Sequence, residues 1–170
     1  MAKEAVVSEV RIRNTLTVTE TLDDAPAFSG TVQSAGFDRA ATRLTASTTP
    51  PVTRAVQLDL SAAISGDPSG EEQIDLMDLE GLQDNFSAVG LKLQVLRLTG
   101  DPDNAGDVSI EPALSNGYDL FGGGNGVTVP AGGLLTMEFN DGAPDVGAAA
   151  RYIDIAGTAG DTVYLEMVFG

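Results

Sequence analysis

The run TVYLEMVF, Thr162 to Phe169, alternates without a break. Val163, Leu165, Met167 and Phe169 fall on one parity, and Thr162, Tyr164 and Glu166 on the other. A period of two is that of a strand with one apolar and one polar face, whereas a helix repeats about every 3.6 residues. Val56, Leu58 and Leu60 alternate in the same way with Gln57 and Asp59. Val10, Ile12, Leu16 and Val18 do so with Arg11, Arg13, Thr15, Thr17 and Thr19, in a strand interrupted at Asn14.

Between such runs lie turn formers: SGDPSG, GDPDNAGD, SNG, NDGAPD and GTAGD. Further strands are expected near Gly30 to Gly36, at Ile74 to Leu79, Val89 to Leu98, Val108 to Leu114, Tyr118 to Phe121, Leu134 to Phe139 and Tyr152 to Ile155. Asp84 to Ala88 reads as a helical turn. In the run from Val89 to Leu98, Val89, Leu91, Leu93 and Val95 share one side and Leu96 and Leu98 the other, which predicts a central strand covered on both faces. TASTTPPVTR reads as an extended connection, because its two prolines bar a helix. Many short strands, regular turns and no amphipathic helix predict an all-β chain, a β-sandwich of jelly-roll-like form.

A length of 170 residues fits one domain with a real core. No apolar run approaches the roughly 18 residues of a membrane span, and the interleaved charges of MAKEAVVSEVRIR imply no export signal. With neither cysteine nor histidine, the usual thiolate and imidazole chemistry is missing. The charge divides the chain in two. Residues 1–54 hold as many acids as bases, so the net charge of −16 belongs to 55–170, where the only bases are Lys92, Arg97 and Arg151. The expected organisation is a neutral, extended N-terminal arm on an acidic body. Such a body repels nucleic acid and anionic membrane. It reads first as a solvated, solubilising surface; the other readings are an arginine-containing arm that docks on an acidic neighbour while the body faces solvent, and adaptation to high salt.

Three segments have the composition of a site. FGGGNGVTVPAGG, Phe121 to Gly133, has the glycines of a phosphate loop but neither the lysine nor the following helix, so it reads as two turns around a short Val127 to Val129 strand. DPDNAGD places Asp101, Asp103 and Asp107 as in the front of a calcium loop, with Gly106 at the sixth position. Ala105 and Pro112 then break the pattern, leaving either a calcium site or an Asx-rich turn. The carboxylates of EEQIDLMDLE and the pair Asp141 and Asp145 supply glycosidase residue types, but nothing places two of them across a sugar, and with no tryptophan a stacking platform is poorly supplied. No enzyme and no cofactor is expected.

From Val56 onward, TRAVQLDLSAAI, GLKLQVLRLT with its Asp/Asn-rich turn, DVSIEPALSNGYDLF, GVTVPAGGLLTMEF and GTAGDTVYLEMVFG follow one another in an order that resembles a family of small virion proteins of tailed bacteriophages. The resemblance covers about two thirds of the chain. It implies a non-enzymatic protein of the particle and carries no catalytic set with it. Joined to the charge pattern, it leads to the expectation of a decoration or cement protein on the capsid exterior. Its partner would be the major capsid protein of the same phage, met by a homotrimer through the arm arginines Arg11, Arg13, Arg39, Arg43 and Arg54. The alternatives are a tail or fibre component contacting a host receptor, and a calcium- or carbohydrate-binding β-module.

Overall fold

The computed structural model describes residues 9–12, 15–20, 33–38, 42–45, 53–60, 71–80, 85–139 and 142–170. Among these residues there is no helix, and the chain is an all-β sandwich. Two four-stranded antiparallel sheets face each other. One has the order β12 (Leu134–Glu138), β9 (Leu93–Gly100), β14 (Val163–Phe169), β5 (Arg54–Asp59). The other has the order β11 (Val127–Val129), β10 (Val108–Pro112), β13 (Tyr152–Ala156), β6 (Glu71–Asp75). Among the eight strands of these two sheets the chain therefore changes sheet at nearly every connection, and only the β10–β11 link stays within one of them.

Alternation becomes packing through register. Leu165 lies opposite both Leu58 and Leu98, and Leu98 opposite Leu135, so one row of leucines crosses the first sheet. The next row is Val56, Met167, Leu96 and Met137. The second sheet answers with Ile74, Ile153, Ile110 and Ile155, and all of these join one buried cluster. Fully burying each such side chain contributes about 1.5–3 kcal/mol.

β9 differs from the expected strand in a way its sequence foreshadows. It begins at Leu93, not Val89, and its pairing with β14 slips at Val168/Phe169, so that Phe169 faces Leu93 while Val168 faces Val95. Gln94 is the extra residue of this β-bulge. The bulge switches parity, placing Leu93, Leu96 and Leu98 all on the inner face. The strand expected at Ile74 to Leu79 is broken after Asp75. The carboxylate of Asp75 accepts the amide of Met77 at 2.9 Å, and its carbonyl accepts that of Asp78. The chain thus turns into the short hairpin β7 (Leu79–Glu80) and β8 (Asn85–Phe86). Asn85 and Phe86 pair as a strand in place of the expected helical turn, because Leu79 opposite Phe86 reaches the core this way. Tyr118 to Phe121 is a loop, not a strand: Gly117 makes one parallel bridge to Tyr152, and the chain then bends from Leu120.

In the N-terminal part, β1 (Glu9–Ile12) pairs with β4 (Thr42–Thr45) and β2 (Thr15–Glu20) with β3 (Gln33–Asp38). The two halves of the strand read around Asn14 thus find different partners. The proline-threonine connection before Thr53 lies outside the described residues.

Tyr118 ties the loops to the core. Its ring is fully buried; its hydroxyl donates to the carbonyl of Pro144 at 2.6 Å and accepts the amide of Leu93 at 3.1 Å. Burial pushes the phenol up to about 12 from 10.0. The folded value is raised, so this contribution to stability is whole below pH 10 and falls away as the pH climbs to about 12. Tyr118→Phe leaves an amide and a carbonyl without their partner, and urea unfolding should show a loss of about 1–3 kcal/mol at neutral pH. It should also remove the high-pH step.

Candidate functional site

One end of the sandwich gathers the β9–β10, β11–β12 and β13–β14 turns, and the Asp101–Asp107 candidate lies among them. Asp101 curls on itself, its carboxylate accepting the amide of Asp103 at 2.9 Å. Asn104 behaves like a piece of backbone: its amide nitrogen donates to the carbonyl of Thr162 at 3.1 Å and its oxygen accepts the amide of Thr162 at 2.7 Å. Asp161, only 2% exposed, accepts the amide of Ala105 at 2.7 Å and that of Thr158 at 2.9 Å. The amide of Gly132 donates to the carbonyl of Asp101, bringing in the third turn. A Cβ on Gly106 would stand 2.5 Å from the Thr158 hydroxyl, so glycine at the sixth position serves a close approach between turns.

This arrangement is that of an Asx-rich clasp. Asp103 and Asp107 are exposed, and the Asp101 oxygen is directed to an amide in its own turn. Among the described residues no group of three or more histidine, cysteine or acidic side chains is placed to hold a metal ion.

The glycine-rich segment does cradle an anion, and that anion is its own. Gly122, Gly123 and Gly124 all have positive φ, near +70° to +78°, and their turn presents amides inward. The carboxylate of Asp119 accepts the amide of Gly122 at 2.8 Å and of Gly124 at 3.3 Å, while Asn125 donates to the carbonyl of Gly122 at 2.6 Å. The loop is filled by a residue three positions upstream, and it then enters β11 as the turn reading requires.

The basic residues separate into two groups. Each base of the acidic body sits in an ion pair on the described surface. Arg97 meets Glu166 at 3.1 Å, Lys92 approaches Asp145 to 4.0 Å, and Arg151 grips Asp75, with Nε at 2.9 Å from Oδ1 and Nη2 on Oδ2. Of the arm arginines, Arg11 on β1 lies opposite Arg43 on β4, whereas Arg13 and Arg39 lie outside the described residues. Arg54 corrects the expectation of a docking arginine. It is 6% exposed, opposite Phe169 in register, with its guanidinium 5.2 Å from the Phe86 ring centroid. A cation held over a ring within the fold is a packing element. Nothing in the local sequence announces this, because Phe86 is distant along the chain.

No protein-family model, no curated protein and no solved structure matches this chain.

Two outcomes test the geometry. Asn104→Ala orphans the Thr162 amide and should cost about 1–3 kcal/mol in urea unfolding, whereas Asp103→Ala, on an exposed tip, should stay within about 0.5 kcal/mol. The hydrogen bonds from Arg151 hold the Asp75 carboxyl below its ordinary value of 3.8, with burial opposing them. The folded value is depressed, so the stability from this pair is complete above pH 3.8 and is lost as the pH falls through the lower folded value. Arg151→Met should therefore shift the midpoint of acid unfolding, followed by circular dichroism, to higher pH.

Proposed function

We propose that the sandwich is a jelly roll and that the protein is a non-enzymatic structural component of a tailed-phage virion, a decoration protein on the capsid exterior. The strand order carries this reading. In chain order the eight strands of the two four-stranded sheets, β5, β6, β9, β10, β11, β12, β13 and β14, distribute as first, third, sixth and eighth in one sheet and second, fourth, fifth and seventh in the other. This is the winding of an eight-stranded jelly roll, an architecture that viral capsid proteins share with lectins and cupins. Fold analogy alone names no function, so the surface supplies the second support.

That surface is acidic, with its few bases paired internally, which suits a face turned to solvent and away from packaged DNA. The arm is electrically neutral, and the β1–β4 register sets Arg11 directly across from Arg43. Two like charges opposite each other destabilise a two-stranded ribbon in isolation, and an anionic partner relieves that repulsion. The capsid shell supplies that partner, and repeated weak contacts add up through avidity on a lattice of identical sites.

The test is co-sedimentation with undecorated capsids of the encoding phage. The full chain should bind saturably at micromolar concentration in moderate salt and raise the temperature at which the capsids disrupt. The double variant Arg11→Ala/Arg43→Ala should weaken that binding at least tenfold while the body melts as before. Absence of binding by the full chain rejects the decoration role.

A further inference from the structure

Each sheet ends in two edge strands, and three of these four edges carry features that discourage pairing with another chain. β6 is lined with Glu71, Glu72 and Asp75. β11 has three residues and stops at Pro130. β5 seals Val56 and Leu58 at 8% and 7% exposure and presents Ala55, Gln57 and Asp59 outward. β12 carries less of such protection. Its inner-face residues Leu135 and Met137 are only half-buried, Leu134 is 55% exposed, and its one charge is Glu138 at the far end.

The hydrogen-bond phase shows which groups this edge offers. The amide of Gly100 donates to the carbonyl of Gly133, and that of Phe139 donates to the carbonyl of Gln94. Antiparallel bonding alternates, so the odd-numbered residues of β12 bond to β9. Leu134 and Thr136 thus turn their amides and carbonyls to the edge.

We infer that the β12 edge is a self-association surface on which a second copy of this chain adds its own β12 antiparallel, about a two-fold axis at Thr136. The sequence LLTME is self-complementary in that register. Thr136 meets Thr136, Leu135 meets Met137 and extends the apolar core across the axis, and Leu134 meets Glu138. The two Glu138 carboxylates lie on opposite sides of the axis. No like charges face each other, which matters for a chain of net charge −16. The contact is isologous and joins two four-stranded sheets into one, a two-fold assembly in place of the trimer expected from sequence.

The chain contains no cysteine, so single-cysteine variants report the register directly. In a two-fold pair centred on Thr136 the two Thr136 Cα atoms stand about 5.5 Å apart, whereas two Leu134 residues are offset by about 14 Å. At about 0.5 M salt, where charge repulsion is screened to a few ångströms, the full chain should sediment as a dimer at high micromolar concentration. Thr136→Cys should then be joined into covalent dimers by a bis-maleimide too short to span about 14 Å, at least tenfold faster than Leu134→Cys. Mixing Leu134→Cys with Glu138→Cys should restore the linkage. Thr136→Glu, which sets two carboxylates face to face, should return the protein to monomer with its melting temperature at high dilution unchanged. A wild-type monomer under these conditions, equal linkage at positions 134 and 136, or a dimer indifferent to Thr136→Glu overturns the inference.

Discussion

β14 lies between β5 and β9, and the rest of the sandwich depends on that insertion. Its inward side chains form the middle of each apolar row in the first sheet, and Phe169 packs at 5.8 Å from Phe86 across the hairpin that leads into β9. Its N-terminal approach, Asp161 and Thr162, anchors the clasp at one end of the body. Its C-terminal neighbour Gly170 exchanges backbone hydrogen bonds with Lys92 at the other. Without β14, β5 would lose its only neighbour among the described strands, and Arg54 the residue it faces in register. Such distant pairing carries a loop-closure cost before it brings any reward.

The acids of this chain do two kinds of work. Asp75, Asp101, Asp119 and Asp161 spend their oxygens on backbone amides at turns, those of Met77, Asp103, Gly122, Gly124, Ala105 and Thr158. An acceptor-only carboxylate suits that task, because turn amides have no strand partner to satisfy them. Segments of this composition resemble ligand sites because aspartate and glycine are what tight turns need, and they are also what calcium and phosphate loops need. Glu166 and Asp145 instead meet Arg97 and Lys92, and Asp154 accepts from the Gln73 amide.

Alternation finds β5 and β14, because each has one face in the core and a side-chain period that register preserves; β10, β12 and β13 are read as strand segments between turn formers. The two-sided character of Val89 to Leu98 was also visible, but its cause was not. A bulge at Gln94 depends on the partner strand, where Val168 and Phe169 are consecutive while Val95 and Leu93 are not. Ile74 to Leu79 misled for a related reason. Leu76 and Leu79 are both buried, yet they reach the core from a turn that the Asp75 carboxylate stabilises, and a hydrophobic pattern does not record side-chain capping. Arg54 was legible only as a charge. Its burial comes from Phe86, which the fold brings near and the sequence keeps apart.

Charge also limits how this molecule meets others. Two bodies of like and large charge repel wherever their acids approach, and that repulsion weakens as salt shortens the screening length. Attractive surfaces must then be those on which backbone hydrogen bonds or apolar contact decide, or on which the charge is reversed. The β12 edge is of the first kind, since its bonding groups are peptide amides and carbonyls and its exposed side chain is Leu134. The β1–β4 ribbon, where the register sets Arg11 against Arg43, is proposed to be of the second. The acids of the body do not select a partner so much as exclude most approaches, and the two places they leave open lie on different parts of the chain. The proposed self-association at β12 and the proposed attachment through Arg11 and Arg43 would therefore use different residues.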